Sequence, residues 1–107
     1  MPSVSRSLNV DRIITGHGCS ATAPIAGSLQ SFATIGIQNV PIAVVGDPIG
    51  PHLIRAGKFC IPHPAIINTF PGNGSQFVSV GITPVARIGD SADAGSIISG
   101  SRFVWAN

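Results

Sequence analysis

The sequence predicts an all-β chain, and three observations carry that prediction. Among 107 residues there are 15 Ile and 9 Val, but only 3 Leu, a single Lys and no Glu. β-Branched residues that suit strands thus stand where a helical protein would carry the straight-chain residues of exposed helix faces. The 13 Gly and 9 Pro break the chain at short intervals, which fits tight turns and excludes a helical bundle. The third observation is an internal repetition. The length suits one domain, 1–107, divided into an N-terminal segment, 1–15, and a repeat region, 16–107.

The N-terminal segment, Met1-Pro-Ser-Val-Ser-Arg-Ser onward, has no apolar core of the kind a secretory signal needs, so the chain is expected to be made in a cytoplasm. The first repeat runs Gly27-Ser-Leu-Gln-Ser-Phe32-Ala-Thr-Ile-Gly36-Ile37 and then Pro41-Ile-Ala-Val-Val-Gly46-Asp47. It matches Gly74-Ser-Gln-Phe77-Val-Ser-Val-Gly81-Ile82 followed by Pro84-Val-Ala-Arg-Ile-Gly89-Asp90. A truncated third copy, Gly100-Ser-Arg-Phe103-Val-Trp-Ala-Asn107, stops where the others reach their Gly-Ile turn. Each copy reads as strand, turn, strand. Gly-Asp then suits a tight corner, where the carboxylate accepts from amides two residues on. Phe32, Phe77 and Phe103, equivalent in the copies, are expected in the core or as packing anchors at the base, and Trp105 as an interface anchor or an internal plug. Between the copies, 48–73 is broken by Pro48, Pro51, Pro62, Pro64 and Pro71 and reads as irregular, in need of some other organiser. Residues 91–100 form a short connection.

Charged residues are only 9% of the chain, against about 25% in an average domain. No apolar run approaches the roughly 20 residues of a spanning helix. The surface is therefore either unusually apolar or hidden against a partner. The net charge is +2, and its basic residues are dispersed, which argues against nucleic acid.

All 3 His and both of the 2 Cys fall in two clusters, Gly16-His17-Gly18-Cys19 and Pro51-His52 with Cys60-Ile-Pro-His63. Imidazole and thiolate are the preferred ligands of zinc, and four of them make a closed structural site. Cys60-x-x-His63 has the spacing that a turn stiffened by Pro62 presents to one ion. The expected set is His17, His52, Cys60 and His63, with Cys19 as the substitute for His17. A cytoplasmic origin favours metal binding or free thiols over a disulfide. On this reading Cys60→Ala destabilises the chain far more than Cys19→Ala.

In combination, the paired Pro-[Ile/Val]-Ala-[Val/Arg]-[Val/Ile]-Gly-Asp segments, the Gly-Ser-x-x-Phe-Val hairpins, the Asp-Ala-Gly-Ser-Ile-Ile-Ser-Gly-Ser stretch and the intervening His…Cys-x-x-His resemble the PAAR-repeat proteins, from about Gly16 to Asn107. Pro84-Val-Ala-Arg87 is close to the family motif. Pro41-Ile-Ala-Val44 lacks its Arg. The resemblance implies a small cone of three pseudo-threefold β-hairpins with zinc, or iron, near the apex on His17, His52, Cys60 and His63. It further implies a tip protein that caps the trimeric β-helical spike of a contractile injection machine, one chain per trimer, and meets the host cell envelope in passing. The expected setting is a phage tail baseplate in the virion, the alternative a tip protein secreted by a type VI system. Ending on the third copy, the chain is expected to be a bare tip with no fused effector.

An enzyme is the rival reading. A catalytic zinc keeps an open position and usually a Glu or His as general base. This chain has no Glu, and four ligands use up its histidines. No Gly-x-Ser-x-Gly elbow is present either. No catalytic residue and no small-molecule substrate are therefore expected.

Overall fold

Two of the three repeated segments contain the strand pairs expected of them, Thr34–Ile35 with Val40–Pro41 and Ser79–Val80 with Thr83–Pro84, whereas the third copy forms no hairpin of its own. A computed structural model describes residues 2–27, 33–36 and 39–107, and among these there are strands and turns but no helix. The strands are β1 (Arg12–Ile14), β2 (Thr22–Pro24), β3 (Thr34–Ile35), β4 (Val40–Pro41), β5 (Pro48–Ala56), β6 (Phe59–Ile66), β7 (Ser79–Val80), β8 (Thr83–Pro84), β9 (Ser91–Ala92) and β10 (Gly95–Ile97). β3 pairs with β4 and β7 with β8, in matching registers that place Thr34 opposite Pro41 and Ser79 opposite Pro84.

Small residues allow three backbone segments to meet at the centre. The Ser5 N–H donates to the Ala86 carbonyl (3.0 Å), the Ala86 N–H to that of Ala43 (2.9 Å), and the Ala43 N–H to that of Ser5 (2.9 Å), so the three bonds close a ring. All three residues are fully buried, and at such a convergence a larger side chain has no room. The neighbouring amides bond three further backbone segments: Val4 to Val104 (2.9 Å), Ile42 to Ala33 (2.9 Å) and Val85 to Val78 (3.1 Å).

The N-terminal segment, set apart from the repeats in the sequence, therefore supplies backbone that pairs with the truncated third copy, through an isolated bridge that sets Ser3 opposite Trp105. Its likeness to the other copies is masked in three ways. Ser3 replaces the proline, Ser5 replaces the alanine, and the corner is longer, Arg6-Ser-Leu-Asn-Val-Asp11 against Val44-Val-Gly-Asp47.

Each corner is tied by its aspartate. Asp11, Asp47 and Asp90 accept from the N–H groups of Arg6 (2.7 Å), Val44 (2.9 Å) and Arg87 (2.7 Å). The carboxylates of Asp47 and Asp90 thus bond three residues back along the chain, not two residues on. Arg6 and Arg87 also pair with their aspartates through the guanidinium. Val44, the position without Arg, makes no such pair.

Beyond each corner the chain returns with a buried isoleucine. The N–H groups of Ile25, Ile67 and Ile97 donate to the carbonyls of Asp11, Asp47 and Asp90 (2.9, 3.0 and 3.0 Å). These isoleucines pack together with Ile13, Ala23, Ile49 and Ala92 in the main core. Ile67→Ala is expected to lower stability by about 3 kcal/mol in denaturant unfolding, the cost of a methyl-lined cavity. Ile82→Ala, at a position 99% exposed, is expected to change little.

The second layer comprises a four-stranded sheet, β2-β1-β10-β9, and the hairpin β5–β6. Bridges from Ile25 to Ile49 and from Ile67 to Ala92 join that hairpin to both outer strands of the sheet. The stretch 48–73, read as irregular, is thus mostly the longest hairpin. One extra residue interrupts the register between Ile49 and His52, in the region of Pro51 and Pro64, whereas Pro48 and Pro62 hold paired positions in a two-stranded sheet, where both strands are edges. Phe77 and Phe103 do not enter the core: they are 80% and 81% exposed. Their N–H groups donate to the buried Ser75 and Ser101 hydroxyls, turns that send the rings outward. Phe32 lies outside the described residues.

Candidate metal centre

Three hairpins of unequal length bring four donors to one point. His17 comes from the loop between β1 and β2. His52 and His63 face each other across β5 and β6. Asp93 lies in the turn between β9 and β10, in a left-handed conformation with φ of 53°. That turn presses on the His17 loop: a Cβ on Gly95 would lie 1.9 Å from the Ile14 carbonyl oxygen, and one on Gly16 2.5 Å from that of Ala94. Only glycine permits this approach.

The Nε2 atoms of His17 and His52 lie 2.7 and 2.6 Å from Asp93 Oδ2, and that of His63 lies 3.2 Å from Oδ1. One ligand atom from each of the four residues lies within 4.8 Å of every other, so the group could hold a metal ion. The rings converge at centroid distances of 5.0 to 5.5 Å. Burial pushes the Asp93 carboxyl up, but hydrogen bonds from His52 and His63, with the charge and hydrogen bond of His17, outweigh it and hold the group below the usual carboxylate range.

His52 is the most informative of the four. It is buried, and both its ring nitrogens face oxygen acceptors: Nδ1 lies 3.1 Å from the Gly50 carbonyl and Nε2 faces Asp93. A neutral imidazole has one N–H and cannot serve both. An imidazolium donating from both nitrogens satisfies the two acceptors, and so does a cation placed between Nε2 and the carboxylate, which leaves Nδ1–H on Gly50 in the manner of an oriented metal-bound histidine. The donor set, three imidazoles and one carboxylate, is one that zinc accepts in a tetrahedron, with ligand atoms about 3.3 Å apart for bonds near 2.0 Å.

The fourth expected ligand differs. Cys60 is joined to Cys19 in a disulfide, Cα atoms 6.0 Å apart. Cys60 is therefore neither a free thiol nor a thiolate ligand, and Cys19 does not substitute for His17. The reason is that Cys60-Ile-Pro-His63 is not a turn but part of β6, with Arg55 opposite Cys60 and His52 opposite His63. Side chains three apart in a strand point to opposite faces. The histidines take one face and Cys60 the other. Asp93 is the fourth member of the group that could hold an ion. In sequence, Asp-Ala-Gly reads only as turn chemistry, and the available signal was its position in the third of three hairpins, the other two of which carry histidines.

The hairpin does not end at the histidines. Four more residue pairs, from Leu53–Pro62 to Ala56–Phe59, carry it on, about 13 Å at strand rise. Leu53, Phe59 and Ile61 are exposed there. The chain matches no family model and no curated protein.

Proposed function

We propose that this chain is the metal-stabilised tip of a contractile spike, a pseudo-threefold cone of the PAAR-repeat type that caps a trimeric β-helical shaft, with no catalytic role. The ring of hydrogen bonds through Ser5, Ala86 and Ala43 carries this reading. One chain offering three equivalent segments around an axis matches the blunt end of a trimer, whose three strand ends need covering. Two of the repeat arms add to it: Phe77 and Ile82 on the second and Phe103 and Trp105 on the third leave large apolar surface exposed, suited to an interface core.

Charge placement also favours this reading. The four aspartate carboxylates are all engaged internally, by Arg6, the Val44 amide, Arg87 and the three histidines. The outward charges are Arg12, Arg55, Lys58 and Arg102. A projecting β5–β6 hairpin with exposed Leu53, Phe59 and Ile61 and no carboxylate suits passage through a lipid envelope better than an acidic tip. Zinc is the ion proposed, with iron the alternative. A phage baseplate is the proposed setting, with a type VI apparatus the alternative.

Mixing the chain with a trimeric spike and weighing the complex by light scattering tests the reading. One chain per trimer is expected. A 3:3 complex, in which each subunit binds its own copy, would contradict it.

A further inference from the structure

The disulfide spans the two elements that carry the histidines. Cys19 follows His17 by two residues, and Cys60 precedes His63 by three. The His17 loop is otherwise held to β5 by Ser20, whose N–H donates to the Leu53 carbonyl (3.0 Å) and whose hydroxyl accepts from the Leu53 N–H (2.9 Å). His17 lies in a loop between two three-residue strands, braced internally by Thr15, whose N–H donates to the Ala21 carbonyl (3.0 Å) and whose hydroxyl accepts from the His17 N–H (3.1 Å), and the disulfide is its covalent tie to β6. Cys60 is exposed and Cys19 half-buried, so the bond is open to a soluble thiol.

We propose that disulfide state and metal occupancy are linked: the oxidised chain holds a divalent ion on His17, His52, His63 and Asp93 more tightly than the reduced chain does, and the bound ion protects the disulfide from reduction. This rests on the metal reading above. With the Cys19–Cys60 bond intact, the His17 loop is already placed against β5–β6, so the ion need not supply the entropy of closing that loop. A dithiol supplies two electrons and two protons: the Sγ–Sγ bond breaks, two thiols form, and the dithiol closes to its own disulfide. The loop then gains freedom that binding must remove. Cys60 does not compensate as a ligand, because pairing of β6 keeps it on the face away from His63. Linkage is reciprocal, so a given ratio of affinities appears again as a shift in the disulfide equilibrium.

Two measurements test this. In the first, zinc affinity is determined by competition with a chromophoric chelator, for the oxidised chain and for the double variant Cys19→Ser, Cys60→Ser. The variant is expected to bind about tenfold more weakly or worse. Equal or tighter binding overturns the linkage while leaving the metal reading intact. Failure of the oxidised chain to bind zinc overturns both.

The second measurement uses the native chain, so it stands even where the variant does not fold. The disulfide is titrated in a glutathione buffer with free zinc held fixed by a chelator buffer. A tenfold affinity ratio moves its midpoint by about 30 mV to more negative potential when zinc is raised. An unmoved midpoint overturns the linkage, and a move in the other direction shows that the freed thiols bind zinc better than the disulfide form does.

Discussion

Cys19→Ala and Cys60→Ala are expected to destabilise the oxidised chain equally, by about 4 kcal/mol each, since either change opens the same cross-link. The bridge joins residues 41 apart in sequence, and the chain-entropy relation for a loop of that length gives about 4 kcal/mol. For a domain of this size such a loss lowers the melting temperature by roughly 15 °C or more. Thermal unfolding followed by circular dichroism, without reductant, reads it directly. The expectation drawn from sequence was different, with Cys60→Ala costly and Cys19→Ala mild, as for a thiolate ligand beside an idle neighbour. Equal losses support the bridge, and the unequal ranking restores Cys60 as a ligand. Under full reduction the difference between the native chain and either variant is expected to shrink toward zero.

His52→Ala is expected to have the largest effect of any single metal-ligand change. It removes a buried imidazole that bonds Gly50 on one side and Asp93 on the other. Structural zinc contributes on the order of 10 kcal/mol to folding, and a closed site deprived of one ligand loses much of that. Zinc content is expected to fall to background and stability by 4 kcal/mol or more, with the loss partly offset by removal of a buried polar group. The diagnostic sign is chelator sensitivity. A strong chelator lowers the melting temperature of the native chain and leaves that of His52→Ala unchanged. Equal sensitivity in both proteins removes His52 from the site.

The hairpins were legible because their signals are local. Gly-Ile turns and Pro-x-Ala-x-x-Gly-Asp corners are readable in a window of ten residues, and β3–β4 and β7–β8 lie where those signals put them. The third repeat was legible only in its C-terminal half, since the backbone that pairs with it lies at the opposite end of the chain and carries Ser5 in the alanine position. Residues 48–73 misled because proline density argues against regular structure, whereas a two-stranded hairpin has only edge strands, and its one register interruption, after Ile49, falls beside Pro51 and Pro64.

For the site, His17, His52 and His63 were identified correctly as a convergent group, from residue chemistry and clustering alone. Cys60 was placed among them by the assumption that Cys-x-x-His is a turn. In a paired strand the same spacing separates the two side chains onto opposite faces. Asp93 was missed because nothing local distinguishes a ligand aspartate from a turn aspartate. Its role depends on Gly16 and Gly95 allowing two distant loops to touch, which is a tertiary fact.

X-ray absorption at the metal edge of the purified, oxidised chain, after elemental analysis has identified the ion, bears most directly on the central claim that three histidines and Asp93 hold a metal. About one ion per chain, with a single shell of nitrogen and oxygen near 2.0 Å and imidazole outer-shell scattering, is the expected result. A sulfur shell near 2.3 Å would return Cys60 to the site, and a stably folded chain with no bound metal would contradict the account outright.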